Sequence, residues 1–279
     1  MKREISRDAV TAISEAEATG EIAEIFADIR TTMQLPLITS IWRTIVDVVG
    51  GLQAAWPPTK LLYQTGQPEA ALRKLLGQVT LPIPQPIVSG QLECAGVKAE
   101  DLPRIQAIVD AYNRSNGMNL LALTGLVVPQ SGPPADEQKP APLPAWPTLP
   151  SLLEKSEIDE VTWTLLQNIN RIGMTGPAGS GIATLWRHLA AWPGLLAVIH
   201  SAFVPLHQDG TIAKSLEHLH GISQTEGARI AHLRSKDIDL PDGARQKIVG
   251  YVTRPQGVAR MVTVGHGLAR WLQTGDPND

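Results

Sequence analysis

Two stretches of this chain, 144 residues apart, carry the same residues in the same order, and that internal repeat restricts the fold more than any other feature. Trp42-Arg43 recurs as Trp186-Arg187, Gly50 as Gly194, Leu52 as Leu196, Leu62 as Leu206, Gln64 as Gln208 and Gly66 as Gly210. A later block repeats at a spacing of 140: Ile108-Val109 as Ile248-Val249, Arg114 as Arg254, Gly117 as Gly257 and Gly125 as Gly265. Order is preserved through both blocks, so tandem duplication explains the agreement better than chance does. Between the repeats lie eight prolines: Pro129, Pro133, Pro134, Pro140, Pro142, Pro144, Pro147 and Pro150. Each sets φ and removes an amide donor, which forbids a helix and marks a linker. The chain therefore divides into a first repeat, 1–128, a proline-rich linker, 129–150, and a second repeat, 151–279. The repeats are expected to pair about a pseudo-twofold axis, as the subunits of a symmetric dimer do.

Helical periodicity dominates both repeats. Ile22, Ile25, Phe26, Ile29 and Met33 form one apolar stripe, with Thr19 placed to cap it. Ile158, Val161, Leu165, Ile169 and Ile172 form another behind Ser156, which has Asp159 three residues on. Segments 101–112, 118–127, 184–192, 194–204, 213–221, 225–234, 243–252 and 258–273 also suit helices. Sustained period-two alternation is absent, and Pro82, Pro84 and Pro86 mark a loop. The expected fold is all-α: an internally duplicated helical pseudodimer with a cleft between its halves.

Composition narrows the partners. A chain of 279 residues buries enough apolar surface to fold without a staple, and a net charge of -3 with no dense basic run gives no footprint for nucleic acid or an anionic membrane. Pro193 and Pro205 interrupt the most apolar tract, Leu185 to Leu206, so no membrane span is expected. Cys94 is the single cysteine, and the residues before Ser14 are charged, unlike a signal peptide; a cytoplasmic protein is expected.

Several segments invite chemical readings. Gly176 to Gly181, GPAGSG, lacks the Lys-Ser or Lys-Thr that a phosphate loop requires, and reads as a loop lining a cleft. His218 and His220 point apart on a helix and no zinc spacing accompanies them, so neither metal nor cofactor is expected. His188, His200 and His207 lie in an apolar tract and read as core or rim histidines, while Cys94 has no feature that would activate it. Ala111 to Leu126, AYNRSNGMNLLALTGL, is the most informative stretch. Asn113 and Asn116 precede an apolar run; they either cap a helix or hold a water or a substrate oxygen.

With these segments in view, the chain resembles the group I 2-haloacid dehalogenases. The likeness covers nearly everything outside the linker and rests on EAEATGEIAEIFADIRTTMQLP (15–36), IWRTIVDVVGGL (41–52), AYNRSNGMNLLALTGL (111–126) and TLWRHLAAWPGLL (184–196). It implies an all-α, duplicated protein with a site between its halves, where an activated water attacks the carbon bearing a halogen. The family's water-orienting asparagine falls on Asn116, two pocket-wall aromatics fall on Leu37 and Ser40, and a hydroxyl residue falls on Thr184. The catalytic aspartate falls on Leu185, between Thr184 and Trp186.

No slip of the alignment restores that carboxylate, because Gly173 through His207 contain no Asp or Glu. His188, one helical turn beyond Leu185, is the substitute base that the resemblance leaves, since an unperturbed imidazole titrates near neutrality. Leu37, Ser40, Trp42, Asn116, Thr184, Leu185 and Trp186 are the expected walls of an apolar cleft for a small carboxylic acid. In this reading Thr184 and a helix start hold the carboxylate. A non-hydrolytic binding protein on the same fold remains the alternative, and a homo-oligomer of the fused halves stays open.

Overall fold

The computed structural model describes residues 12–134, 138–140, 142–143, 145–176, 181–234 and 238–275. All its regular structure is helical, with no strand among the described residues. Before the linker come α1 (Gly20–Met33), α2 (Ser40–Ile45), α3 (Gly51–Gln64), α4 (Gln67–Gln78), α5 (Gln91–Cys94) and α6 (Leu102–Val127). After it come α7 (Glu160–Ile169), α8 (Thr184–His188), α9 (Pro193–Gln208), α10 (Thr211–Ile230), α11 (Asp242–Val252) and α12 (Val258–Gln273). No described helix is long and apolar enough to cross a membrane.

The recurring residues have physical roles. Gly66 and Gly210, which start α4 and α10, both adopt left-handed backbone at φ 69° and 83°. Only glycine enters that region without a steric penalty. Trp42 and Trp186 are fully buried, and each is followed by a buried arginine that clasps the backbone 30 and 34 residues earlier, respectively. Arg43 Nε donates to the Ile13 carbonyl at 2.7 Å, and Arg187 Nη2 donates to the Leu153 carbonyl at 2.7 Å.

Several local readings change in the structure. Asn113 and Asn116 cap nothing: both lie inside α6, which runs unbroken through 26 residues where two helices were expected. An apolar surround on almost every side outweighs the turn-forming tendency of Asn and Gly here. The segments 213–221 and 225–234 likewise merge, with α10 carrying on to Ile230. Thr19 occupies the cap position of α1 but makes no side-chain cap bond. Asp159, not Ser156, caps α7, accepting from the Thr162 amide at 2.9 Å. The unexpected α3 carries Pro57 and Pro58 inside it. Burial of Leu52, Ala55, Trp56, Leu62 and Tyr63 offsets the backbone bonds those prolines remove. Positions 177–180 of the GPAGSG loop lie outside the described residues.

Two apolar cores form, and each draws on both sides of the linker. The first joins α1 to α4 with Leu240, Ala244, Ile248, Val252, Val258 and Val262 from the end of the chain. The second joins α7 to α9 and α12 with Leu37, Ile87, Leu92, Ile105, Ile108, Val109 and Tyr112. Helix α6, about 39 Å long at 1.5 Å per residue, enters both. The linker is docked as well: Leu143 N donates to Gln34 Oε1 at 2.9 Å and Trp146 Nε1 to the Gln34 carbonyl at 2.8 Å.

Where α6 crosses α10, small residues let the backbones approach. A Cβ added at Gly227 would fall 2.4 Å from Cγ2 and 2.5 Å from Cβ of Thr124. Because the obstructing Thr124 Cβ sits next to its own backbone, the helices must separate to admit it. Gly227→Ala is expected to destabilise the chain by about 1–3 kcal/mol, read as a lower denaturant midpoint at unchanged slope. An unchanged midpoint would show that the crossing has slack.

Candidate active site

Helix α6 carries a stripe of polar side chains into the interior: Tyr112, Ser115, Asn116 and Asn119, all buried. Their spacing of three or four residues puts them on one face. Asn119 is the centre of one cluster. Its Oδ1 accepts from Tyr63 Oη at 2.7 Å and Trp42 Nε1 at 3.1 Å, and its Nδ2 donates to Thr39 Oγ1 at 2.9 Å and Ser115 Oγ at 3.4 Å. Thr39 and Ser115 share a further bond of 3.0 Å. Every donor and acceptor of the amide is thus used, which makes the cluster rigid.

Two turns earlier, Tyr112 faces α8. Its hydroxyl lies 3.3 Å from His188 Nδ1, while His188 Nε2 lies 2.6 Å from the Pro150 carbonyl. A carbonyl only accepts, so Nε2 carries the imidazole proton and Nδ1 presents its lone pair to the phenol. Burial pushes His188 below its ordinary pKa, while the Pro150 bond and the Glu15 carboxylate oppose that shift. His188 is therefore neutral at neutral pH. Burial also drives Tyr112 up to about 12, against a hydrogen bond with Thr184 and the charges of Arg43 and Arg187.

The expected site residues fall into three groups along α6. Thr184 and His188 meet around Tyr112. Trp42 joins the Asn119 cluster. Asn116 lies between them, where Tyr251 Oη donates to its Oδ1 at 3.4 Å. Asn116 and His188 share no hydrogen bond. Leu185 lies beside Gly265, whose carbonyl accepts from Asn113 Nδ2 at 2.9 Å. Leu37 and Trp186 are in the second apolar core, and Ser40 opens α2 half-buried. An open cleft was expected, yet apart from Ser40 these residues are all closely covered. Shallow surface depressions lie elsewhere, one of about 570 Å³ bounded by Pro57, Lys60, Leu61 and Ile238.

Sequence reading missed Tyr112, Ser115, Thr39 and Tyr63. The repeated polar residues at positions 112, 115 and 119 were an available signal once 102–127 is read as one helix. It also missed Glu15, which accepts from the Ile38 amide at 2.7 Å and pairs with Arg30. That carboxylate acts electrostatically on His188, Tyr112 and Arg43, although it lies in the other half of the sequence from His188.

The fold and this interior now permit comparison with known proteins. The helical architecture is that of the D-2-haloacid dehalogenases. A structure of a D-2-haloacid dehalogenase mutant with D-2-CPA matches at a TM-score of 0.72 and 16% identity, covering 99% of both chains. A complex of D-2-haloacid dehalogenase with L-LA matches at 0.68 and 14%, again covering 99% of both. In sequence, the chain is a homologue of a configuration-inverting 2-haloacid dehalogenase of Alcaligenes xylosoxydans xylosoxydans, 25% identical over 199 residues. That match covers 67% of this chain and 66% of the relative, so the chain spans about two thirds of the curated protein it resembles. No protein-family model matches.

The two clusters generate separate expectations. Asn119→Ala strands the Trp42 and Tyr63 donors in a closed interior and is expected to cost about 2–3 kcal/mol, measured by denaturant unfolding. Three wholly or partly buried histidines contribute to acid stability. Burial lowers His188, His220 and His266, the last to about 4. Their unfolded forms take up protons first, so stability is full above the ordinary value of 6.5 and falls as pH drops toward 4. His266→Leu should flatten that decline in thermal midpoint; an identical slope would remove His266 from it.

Proposed function

We propose that this protein is a haloacid dehalogenase-like hydrolase acting on a small 2-substituted carboxylic acid, with water as the attacking group. The observation that carries the reading is a buried, neutral His188 whose Nδ1 lone pair faces the Tyr112 hydroxyl on α6, in a homologue of a 2-haloacid dehalogenase. A base in that state accepts a proton at neutral pH, which an amide does not. In this reading Asn116 orients the water or the substrate, Thr184 holds the carboxylate through its hydroxyl, and His188 receives the proton. Leu37, Ser40, Trp42, Leu185 and Trp186 wall the substrate in. Repeats 1–128 and 151–279 enclose the site as a cytoplasmic pseudodimer, and the reaction uses neither metal nor organic cofactor.

A second reading follows from one specific residue. Leu185 is buried hydrocarbon at the position where the family resemblance expects a carboxylate. On that ground the fold would serve as a binding protein for the same class of small acid, without hydrolysis.

Halide release from D- and L-2-chloropropionate, followed from about pH 6 to pH 10, separates the two. The hydrolase reading expects turnover by the native chain and a loss of roughly 10²–10⁴-fold in His188→Ala, the usual contribution of a positioned base. The binding reading expects a silent native chain and turnover gained in Leu185→Asp.

A further inference from the structure

We propose that Tyr112 is the group that takes the proton from the attacking water, passing its own phenolic proton to Nδ1 of His188. This rests on the hydrolase reading and identifies the atom through which the base works. The Pro150 carbonyl occupies Nε2 at 2.6 Å and the Tyr112 hydroxyl stands 3.3 Å from Nδ1, so both imidazole nitrogens already have partners. A water that reached Nδ1 directly would have to displace the phenol. The two rings meet edge to face, 5.8 Å between centroids and 80° between planes, which holds the hydroxyl over the nitrogen. Tyr112 also lies one turn before Asn116 on the same face of α6.

The repeat supplies a second argument. At the spacings that relate the halves, Tyr112 corresponds to Val252 and His188 to Thr44. This phenol–imidazole pair therefore has no counterpart at the equivalent positions, whereas the Trp-Arg pair occurs in both halves.

The step balances as follows. Water oxygen bonds to C2 of the 2-halo acid while the C2–halogen bond breaks and halide leaves with the electron pair. One water proton moves to Tyr112 Oη as the phenolic proton moves to His188 Nδ1; the product is the 2-hydroxy acid, and the imidazolium later returns its proton to solvent. Tyr112 never becomes a free phenolate, in keeping with its burial. Glu15 on the chain before α1 favours the imidazolium, and Arg43 on α2 and Arg187 on α8 favour negative charge on the phenol oxygen.

The test uses the full chain and 2-chloropropionate under single-turnover conditions. Tyr112→Phe, which keeps the ring, is expected to lose about 10²-fold in rate with little change in KM. His188→Ala should lose as much, and the double variant no more than either alone. A proton inventory on the native chain in mixtures of light and heavy water needs no substitution. Two protons in flight give a curved dependence of rate on deuterium fraction, and a straight line overturns the relay. A native chain that turns over together with a Tyr112→Phe variant of near-native rate overturns the relay and leaves the hydrolase reading intact. A native chain that releases no halide overturns both.

Discussion

Helix α6 is the constraint on which the molecule is built. It is buried along nearly all its length, it belongs to both apolar cores, and it still carries Tyr112, Asn113, Ser115, Asn116 and Asn119 into the interior. A polar group removed from water without a partner costs free energy of the order that a whole domain retains, so each of these side chains limits what its neighbours can be. Trp42, Tyr63 and Thr39 are where they are because Asn119 needs two donors and an acceptor. Gly265 has no side chain because Asn113 occupies that space.

The same burial decides the chemistry. A water-filled cleft would leave histidine and tyrosine near their ordinary acidities. In this interior burial favours the neutral imidazole and the protonated phenol. The charges that act on this pair, Glu15, Arg43 and Arg187, lie on three different segments. One of those segments, the chain carrying Glu15, is also the stretch that Arg43 clasps at Ile13.

How much of this was legible in the sequence depended on the range of the interaction. The C-terminal helix was read as 258–273 and is found as Val258–Gln273, because its apolar face and its preceding glycine are local signals. Helix α3 was invisible because Pro57 and Pro58 are breakers unless packing overrides them, and packing around Trp56 is a tertiary fact. The asparagines looked like caps because their neighbours' burial is decided by helices remote in sequence, α10 and α12. His188 stood out as a candidate base, but its two partners, Tyr112 and Pro150, are 76 and 38 residues distant, so its tautomer could not be read. The resemblance to 2-haloacid dehalogenases came through because motif order survives where individual contacts have diverged.

The docked linker alters what the two repeats can become. Chains that interleave their cores as separate subunits must find each other, and dilution weakens them; joined through a strap pinned at Gln34, they meet at a fixed local concentration whatever the amount of protein. Read as two fused repeats, the chain also frees equivalent positions from being encoded twice. One copy of position 112 can stay a tyrosine while its counterpart turns into the valine that fills a core, a division of labour closed to any homodimer.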